Sequence, residues 1–133
     1  MKKQFLLFIV VCCLFSTAYS LESTSLNSGS IVNTWIWQKS IGGGSNPYLA
    51  TPKTIGFTKK VVFTPDGRVI TYKNNIEIRN SAYQMEKGSS FFDQSENDLI
   101  TFEGKTYIIE SLDNQNLTIV SNNQDATRTI FKR

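Results

Sequence analysis

From Ser30 to Arg133 the apolar residues of this chain recur on alternate positions, and no stretch carries them at helical spacing. Successive side chains of a strand point to opposite faces, so a period of two describes strands with one face buried. Eight such runs stand out: Ile31–Gln38, Phe57–Thr64, Arg68–Lys73, Ala82–Glu86, Leu99–Glu103, Thr106–Leu112, Leu117–Ser121 and Thr127–Lys132. Turn formers separate them. Thr64-Pro65-Asp66-Gly67 fixes one φ with Pro65 and offers Gly67 for a positive-φ corner, while Asp113–Asn116 and Asn122–Asp125 are short polar breaks. Short strands joined by tight turns predict an antiparallel meander, and closing it on itself removes both exposed edges. The expected fold is all-β: a single small up-and-down antiparallel β-barrel of about eight strands.

Two connections exceed what a hairpin needs, Ser40 to Gly56 and Lys87 to Asp98. Long connections in compact domains are usually lids or flexible segments. The first contains Gly42-Gly43-Gly44, read here as a source of hinge freedom, with Tyr48 and Leu49 to lay over an opening. A phosphate-binding loop would need Gly-Lys-Ser/Thr opening a helix, and Ser45-Asn46-Pro47 follows instead. The second contains Asp93–Asp98, whose alternating oxygen ligands resemble the start of a calcium loop. It lacks the glycine sixth and glutamate twelfth, which are replaced by Asp98 and Gly104. No metal site is assigned.

The chain opens with Lys2 and Lys3, an apolar run from Phe5 to Phe15, and small residues at Ala18 and Ser20. That is the layout of a cleaved signal peptide. The apolar run is shorter than the roughly 20 residues a membrane span requires. The expected organisation is a signal peptide over 1–20, a disordered segment over 21–29 and the barrel over 30–133, with export to the periplasm or beyond. Lipid attachment at Cys12 or Cys13 is the alternative; Val11 and Cys12 stand where the lipid motif prefers a small residue.

Cleavage changes the chemistry. Both cysteines lie in the leader and the sequence contains no histidine, so the remainder has neither thiol nor imidazole. Ser-His and Cys-His nucleophiles and His/Cys zinc sites are thereby excluded, and no catalytic residue or cofactor is expected. Losing Lys2 and Lys3 leaves 12 basic against 11 acidic residues, well interspersed. Nucleic-acid binders carry a clustered basic footprint, and none is present. No transmembrane segment remains after cleavage, and the oligomeric state is not legible.

Trp35-Ile36-Trp37, the glycine run, Thr51–Gly56, Phe63 with Asp66-Gly67, Tyr107–Ile109 with Leu112, Leu117–Ile119 and Phe131-Lys132-Arg133 follow one another in an order that resembles the short lipocalin-like proteins exported by bacteria, relatives of the calycin barrels. The resemblance covers Ile31 to Arg133, with Asn33 where lipocalins place the glycine before the first-strand tryptophan. It implies a small apolar or amphipathic ligand inside the barrel. It also implies a basic residue of the last strand, Arg133 or Arg128, over Trp35 at the barrel floor. The candidate ligand-binding residues are Trp37, Tyr48, Phe57, Lys59, Val61, Phe63 and Tyr83. Two placements are open for Lys59: inward, as a cationic anchor for a ligand carboxylate, or outward through a bulge at Lys59-Lys60. The alternative function is an interaction module, a filled barrel that meets another envelope protein through loops or a surface patch including Ile70 and Tyr72.

Overall fold

The computed structural model describes residues 30–45 and 47–133; the expected signal peptide and the expected disordered segment lie outside the described residues. Nine strands run in chain order: β1 (Thr34–Ile41), β2 (Leu49–Ala50), β3 (Lys59–Phe63), β4 (Arg68–Lys73), β5 (Ile76–Ser89), β6 (Glu96–Phe102), β7 (Lys105–Leu112), β8 (Asn116–Ser121) and β9 (Arg128–Lys132). Each of the eight long strands pairs antiparallel with its neighbours, and β9 returns to β1 with Trp37 opposite Phe131 and Ile41 opposite Arg128. The sheet closes. It is an eight-stranded barrel, with the two-residue β2 as an extra strand on the far end of β1.

Alternation decides what fills it. Trp35, Trp37, Val61, Phe63, Val69, Ile100, Phe102, Leu117, Ile119 and Phe131 point inward and form one cluster, with Tyr83, Tyr107 and Ile109 packed against it. Antiparallel order puts the start of β1 and the β3–β4 and β7–β8 turns at one end, the floor. The β1–β3 connection and the β4–β5, β6–β7 and β8–β9 turns lie at the other, the mouth. Trp35 is 0% exposed and donates its indole N–H to the Ile31 carbonyl at 2.9 Å, so the residues before β1 fold in beneath it. Asn33 continues this seal, its carbonyl accepting the Phe63 N–H at 3.0 Å.

The largest departure from expectation is β5. Alternation marks Ala82–Glu86, but the strand runs 14 residues, Ile76–Ser89. Its upper part pairs with β4 and its lower part with β6, where the ladder begins at Tyr83 opposite Phe102. The polar residues Glu77, Arg79 and Asn80 are exposed along the upper part, which hides the strand from any hydrophobic pattern. The expected Lys87–Asp98 loop is therefore mostly ladder, and only 90–95 turns. That tip folds back over the outside of β7 and β8. Asn122 pins it, its side chain accepting the Phe91 N–H at 2.7 Å and donating to the Ser89 carbonyl at 3.1 Å. Asp93 is engaged within the tip, accepting from the Ser95 N–H and hydroxyl at 3.0 and 2.6 Å.

The Ser40–Gly56 connection is also ordered locally. β2 pairs with Ser40 and Ile41, and a one-turn helix, α1, spans Pro52–Ile55. Thr51 caps it in a reciprocal box with Thr54, Pro52 supplies a preset φ in the first turn, and Gly56 ends it at φ 81°. The glycine run is not a hinge. A Cβ on Gly42 would sit 2.3 Å from the Tyr48 ring, and one on Gly43 would sit 2.9 Å from Ala126. These glycines permit close packing against Tyr48 and the β8–β9 loop, where the Gly43 N–H bonds the Asp125 carbonyl at 3.2 Å.

Candidate functional site

At the mouth the barrel is split. The β5–β6 ladder stops at Tyr83–Phe102, and above it side chains span the opening. Glu103 does most of this. It sits with Gly104 in a two-residue hairpin turn at φ 51°, a left-handed conformation that costs a non-glycine residue. From there its carboxylate accepts the Thr71 hydroxyl of β4 at 2.8 Å and the Arg79 guanidinium of β5 at 3.0 Å. The side chain of Glu103 is largely shielded, at 16% exposure, while that of Arg79 remains 62% exposed.

Lys59 joins this cluster from β3. The β3–β4 register runs unbroken through Lys59–Lys73 and Lys60–Tyr72, so the alternative of a bulge is not realised. Lys60 lies outside, its ammonium 4.6 Å from the centre of the Tyr72 ring. Lys59 lies inside, lining a cavity of about 60 Å³ with Val61, Thr71, Phe102, Tyr107 and Phe131. Burial holds its ammonium below the ordinary lysine pKa of 10.5; nearby Glu103 opposes the shift, and Arg79 and Lys105 reinforce it. Burial, aided by Glu103, also raises the Tyr107 phenol.

Between the lowered folded value and 10.5 the unfolded chain binds more protons at Lys59 than the folded one, so stability from this group rises with pH. Below that window the charged form carries its full burial cost. Lys59→Met is expected to stabilise the barrel by about 1 kcal/mol near neutral pH, with the advantage shrinking as pH climbs toward the unfolded lysine value. Urea denaturation of both proteins across pH 7 to about 10 measures it. A variant less stable at every pH would show that the ammonium is a net stabiliser.

The sequence-predicted residues do not share one pocket. Lys59 and Val61 meet at the cavity. Trp37 is 5% exposed, bonds the Ser40 hydroxyl through its indole N–H at 2.9 Å and stacks on Phe57 at 6.4 Å between ring centres. Phe57 in turn carries the Lys73 ammonium 4.4 Å from its ring centre. Phe63 and Tyr83 meet edge-to-face at 5.1 Å near the floor, where the Tyr83 hydroxyl donates to the Thr64 carbonyl at 3.0 Å. Tyr48 is half exposed and lies against the glycine run. The implied cation over Trp35 is absent among the described residues. Arg133 is exposed, with its backbone N–H on the Gln115 carbonyl, and Arg128 is held on the outer face by both oxygens of Glu110 at 2.6 and 3.0 Å. Sequence reasoning missed Glu103, Thr71 and Phe131. Glu103 had a signal, since Glu-Gly between two strands marks a positive-φ turn.

Outside the barrel the β5–β6 tip creates a second concavity. Leu99, Ile108 and Val120 face outward yet are buried. Phe92 stands beside Ile108, Val120 and Ala126 along an open groove of about 430 Å³, rimmed by Glu110 and Arg128. Phe91 and Phe92 pack edge-to-face at 5.7 Å and remain 59% and 50% exposed. A polar cleft of about 640 Å³ adjoins it across Gly43, between Tyr48, Lys105, Gln124 and Asp125. No protein-family model, curated protein or solved structure matches this chain.

Proposed function

We propose that this chain is an exported, lipocalin-like interaction module, a filled barrel that docks another envelope protein on its outer surface. The observation that carries this reading is the size of the interior cavity lined by the described residues, about 60 Å³. Small-molecule sites commonly need about 300–1,000 Å³, so a carrier of fatty-acid-sized ligands would have to repack its core first. Among the described residues, an exposed aromatic pair lies outside instead, Phe91 and Phe92, with a groove beside Ile108 and Val120. Burying aromatic anchors of this kind is the usual source of affinity at protein interfaces. The apolar floor and the Glu110–Arg128 rim suit a partner offering an apolar side chain flanked by polar groups.

Two measurements test the reading together. A fluorescent fatty-acid probe titrated into the protein at high micromolar concentration is expected to show no saturable binding. A photocrosslinker replacing Phe92 in the native host is expected to give one discrete protein adduct, lost when the crosslinker replaces Ile70 on a different outer face. Saturable probe binding that Val61→Trp abolishes would restore the interior carrier and remove this proposal.

A further inference from the structure

We infer that the outer wall formed by β9, β1, β3 and β4 seats the protein on an anionic phospholipid surface, with Lys39, Lys60 and Lys132 on the headgroups and Ile36 between them. These four strands are neighbours in the closed sheet. Together they carry seven lysines and arginines and no aspartate or glutamate. Between Tyr83 and Asp125 the balance reverses, with eight carboxylates against two lysines. Closing the sheet therefore sorts the charge, leaving one side of the barrel basic and the other acidic. Four of the seven cations are engaged or turned away. Lys59 lines the interior, Lys73 lies over the Phe57 ring, Arg68 bonds the Asn80 side chain and Arg128 is held by Glu110. Lys39, Lys60 and Lys132 face outward, and none has a carboxylate partner among the described residues.

The residues between these lysines decide which anion the wall suits. Ile36, 46% exposed, stands opposite Lys132 on one side and Lys60 on the other. Lys60 in turn stands opposite Tyr72 and lays its ammonium on that ring. Neighbouring strands lie about 4.8 Å apart, so the row from Lys132 to Tyr72 spans roughly 14 Å. Val62 and Ile70, half-buried and paired on the same outer face, extend it with apolar surface. A hydrophilic polyanion would neutralise the lysines and gain nothing from Ile36, Val62 or Ile70. A bilayer surface uses both parts. Its phosphates take the ammonium groups, while the branched side chains and the Tyr72 ring enter the headgroup layer. Lysine stems are long enough to hold the charges at headgroup level above deeper apolar neighbours. The strand that floors the Phe92 groove, β7, is four places from β3 around the barrel, so neither surface obstructs the other.

Sedimentation with sucrose-loaded vesicles tests this, using the protein purified from its host. Phosphatidylcholine vesicles with about 30% phosphatidylglycerol should carry the protein down, and phosphatidylcholine alone should not. Salt at about 1 M, where the screening length falls to about 3 Å, should release it. Each basic side chain near such a surface contributes about fivefold to partitioning, so the triple variant Lys39→Gln, Lys60→Gln, Lys132→Gln should bind about a hundredfold more weakly. Lys87→Gln removes a cation from the acidic side and should change binding less than about twofold. In Ile36→Trp, brominated lipid should quench the added emission and leave that of the buried Trp35 and Trp37 unchanged. Equal partitioning onto neutral and anionic vesicles would overturn the surface. So would a triple variant that binds like Lys87→Gln, or an Ile36→Trp emission that brominated lipid does not quench. Tighter binding to duplex DNA than to vesicles at equal phosphate concentration would give the wall to a soluble polyanion and remove the lipid.

Discussion

Replacing Trp35 with alanine is expected to destabilise the barrel by about 3 to 5 kcal/mol. The side chain is fully buried and its indole N–H has a partner in the Ile31 carbonyl. Alanine removes the ring, leaves that carbonyl without its donor, and opens a gap between the N-terminal residues and the core. The walls around the gap are strands locked into ladders on both sides, which leaves little freedom to collapse inward. Such a loss is a large share of the roughly 5 to 15 kcal/mol typical of a domain. Trp37→Ala is expected to cost less, since its ring stacks on Phe57, just outside the regular strands, where the chain can settle. Urea denaturation of both variants gives the order; a Trp35→Ala loss below that of Trp37→Ala would mean that the floor is not sealed by Trp35.

The second large effect is expected at Glu103. Glu103→Asn would create Asn-Gly, the pair that two-residue hairpin turns favour, so the local contribution of the substitution is stabilising. The shorter side chain cannot keep the bonds to Thr71 and Arg79, and its neutral amide leaves Arg79 and the nearby Lys59 without their carboxylate. A net loss of about 1 to 2 kcal/mol is expected, scaled down from a fully buried pair because Arg79 is mostly exposed. Raising the salt concentration should recover part of it by screening the repulsion. Combining the change with Lys59→Met should recover another part, because one of those two cations is then gone. An Asn variant as stable as the parent would show that the carboxylate does not hold the split mouth together.

Hydrophobic alternation marked a strand in all eight places because most strands of this barrel bury one face and expose the other. It under-read β5, where Ile76 and Ile78 are exposed among charged residues and no face of the upper part is buried. Asn74-Asn75 was the overlooked clue. Both residues adopt positive φ, at 50° and 62°, and asparagine tolerates that conformation, so the pair marks a hairpin that places the start of β5 at Ile76. Parity put Lys59 on the face of Val61 and Phe63, and the structure places it there. What spacing could not convey was the company it keeps. Thr71 and Arg79 face each other across the β4–β5 ladder, and Glu103 reaches them from the β6–β7 turn, a meeting no spacing in the sequence announces. Nor could it show that Ile108 and Val120, on the outward parity, would be covered by a hairpin folded back from elsewhere in the chain.

The β1–β9 pairing has a consequence for how the chain acquires its shape during synthesis. Ser40 and Thr129, whose hydroxyls meet across that seam at 3.3 Å, are 89 positions apart. Neighbouring hairpins assemble from local segments, but this seam must wait until the ribosome has released nearly the whole domain, and loop closure over that distance is slow. Until then the nascent polypeptide is an open ribbon with two adhesive borders. Truncation within Arg128–Lys132 would freeze it in that state, turning a monomer-sized barrel into a template for aggregation.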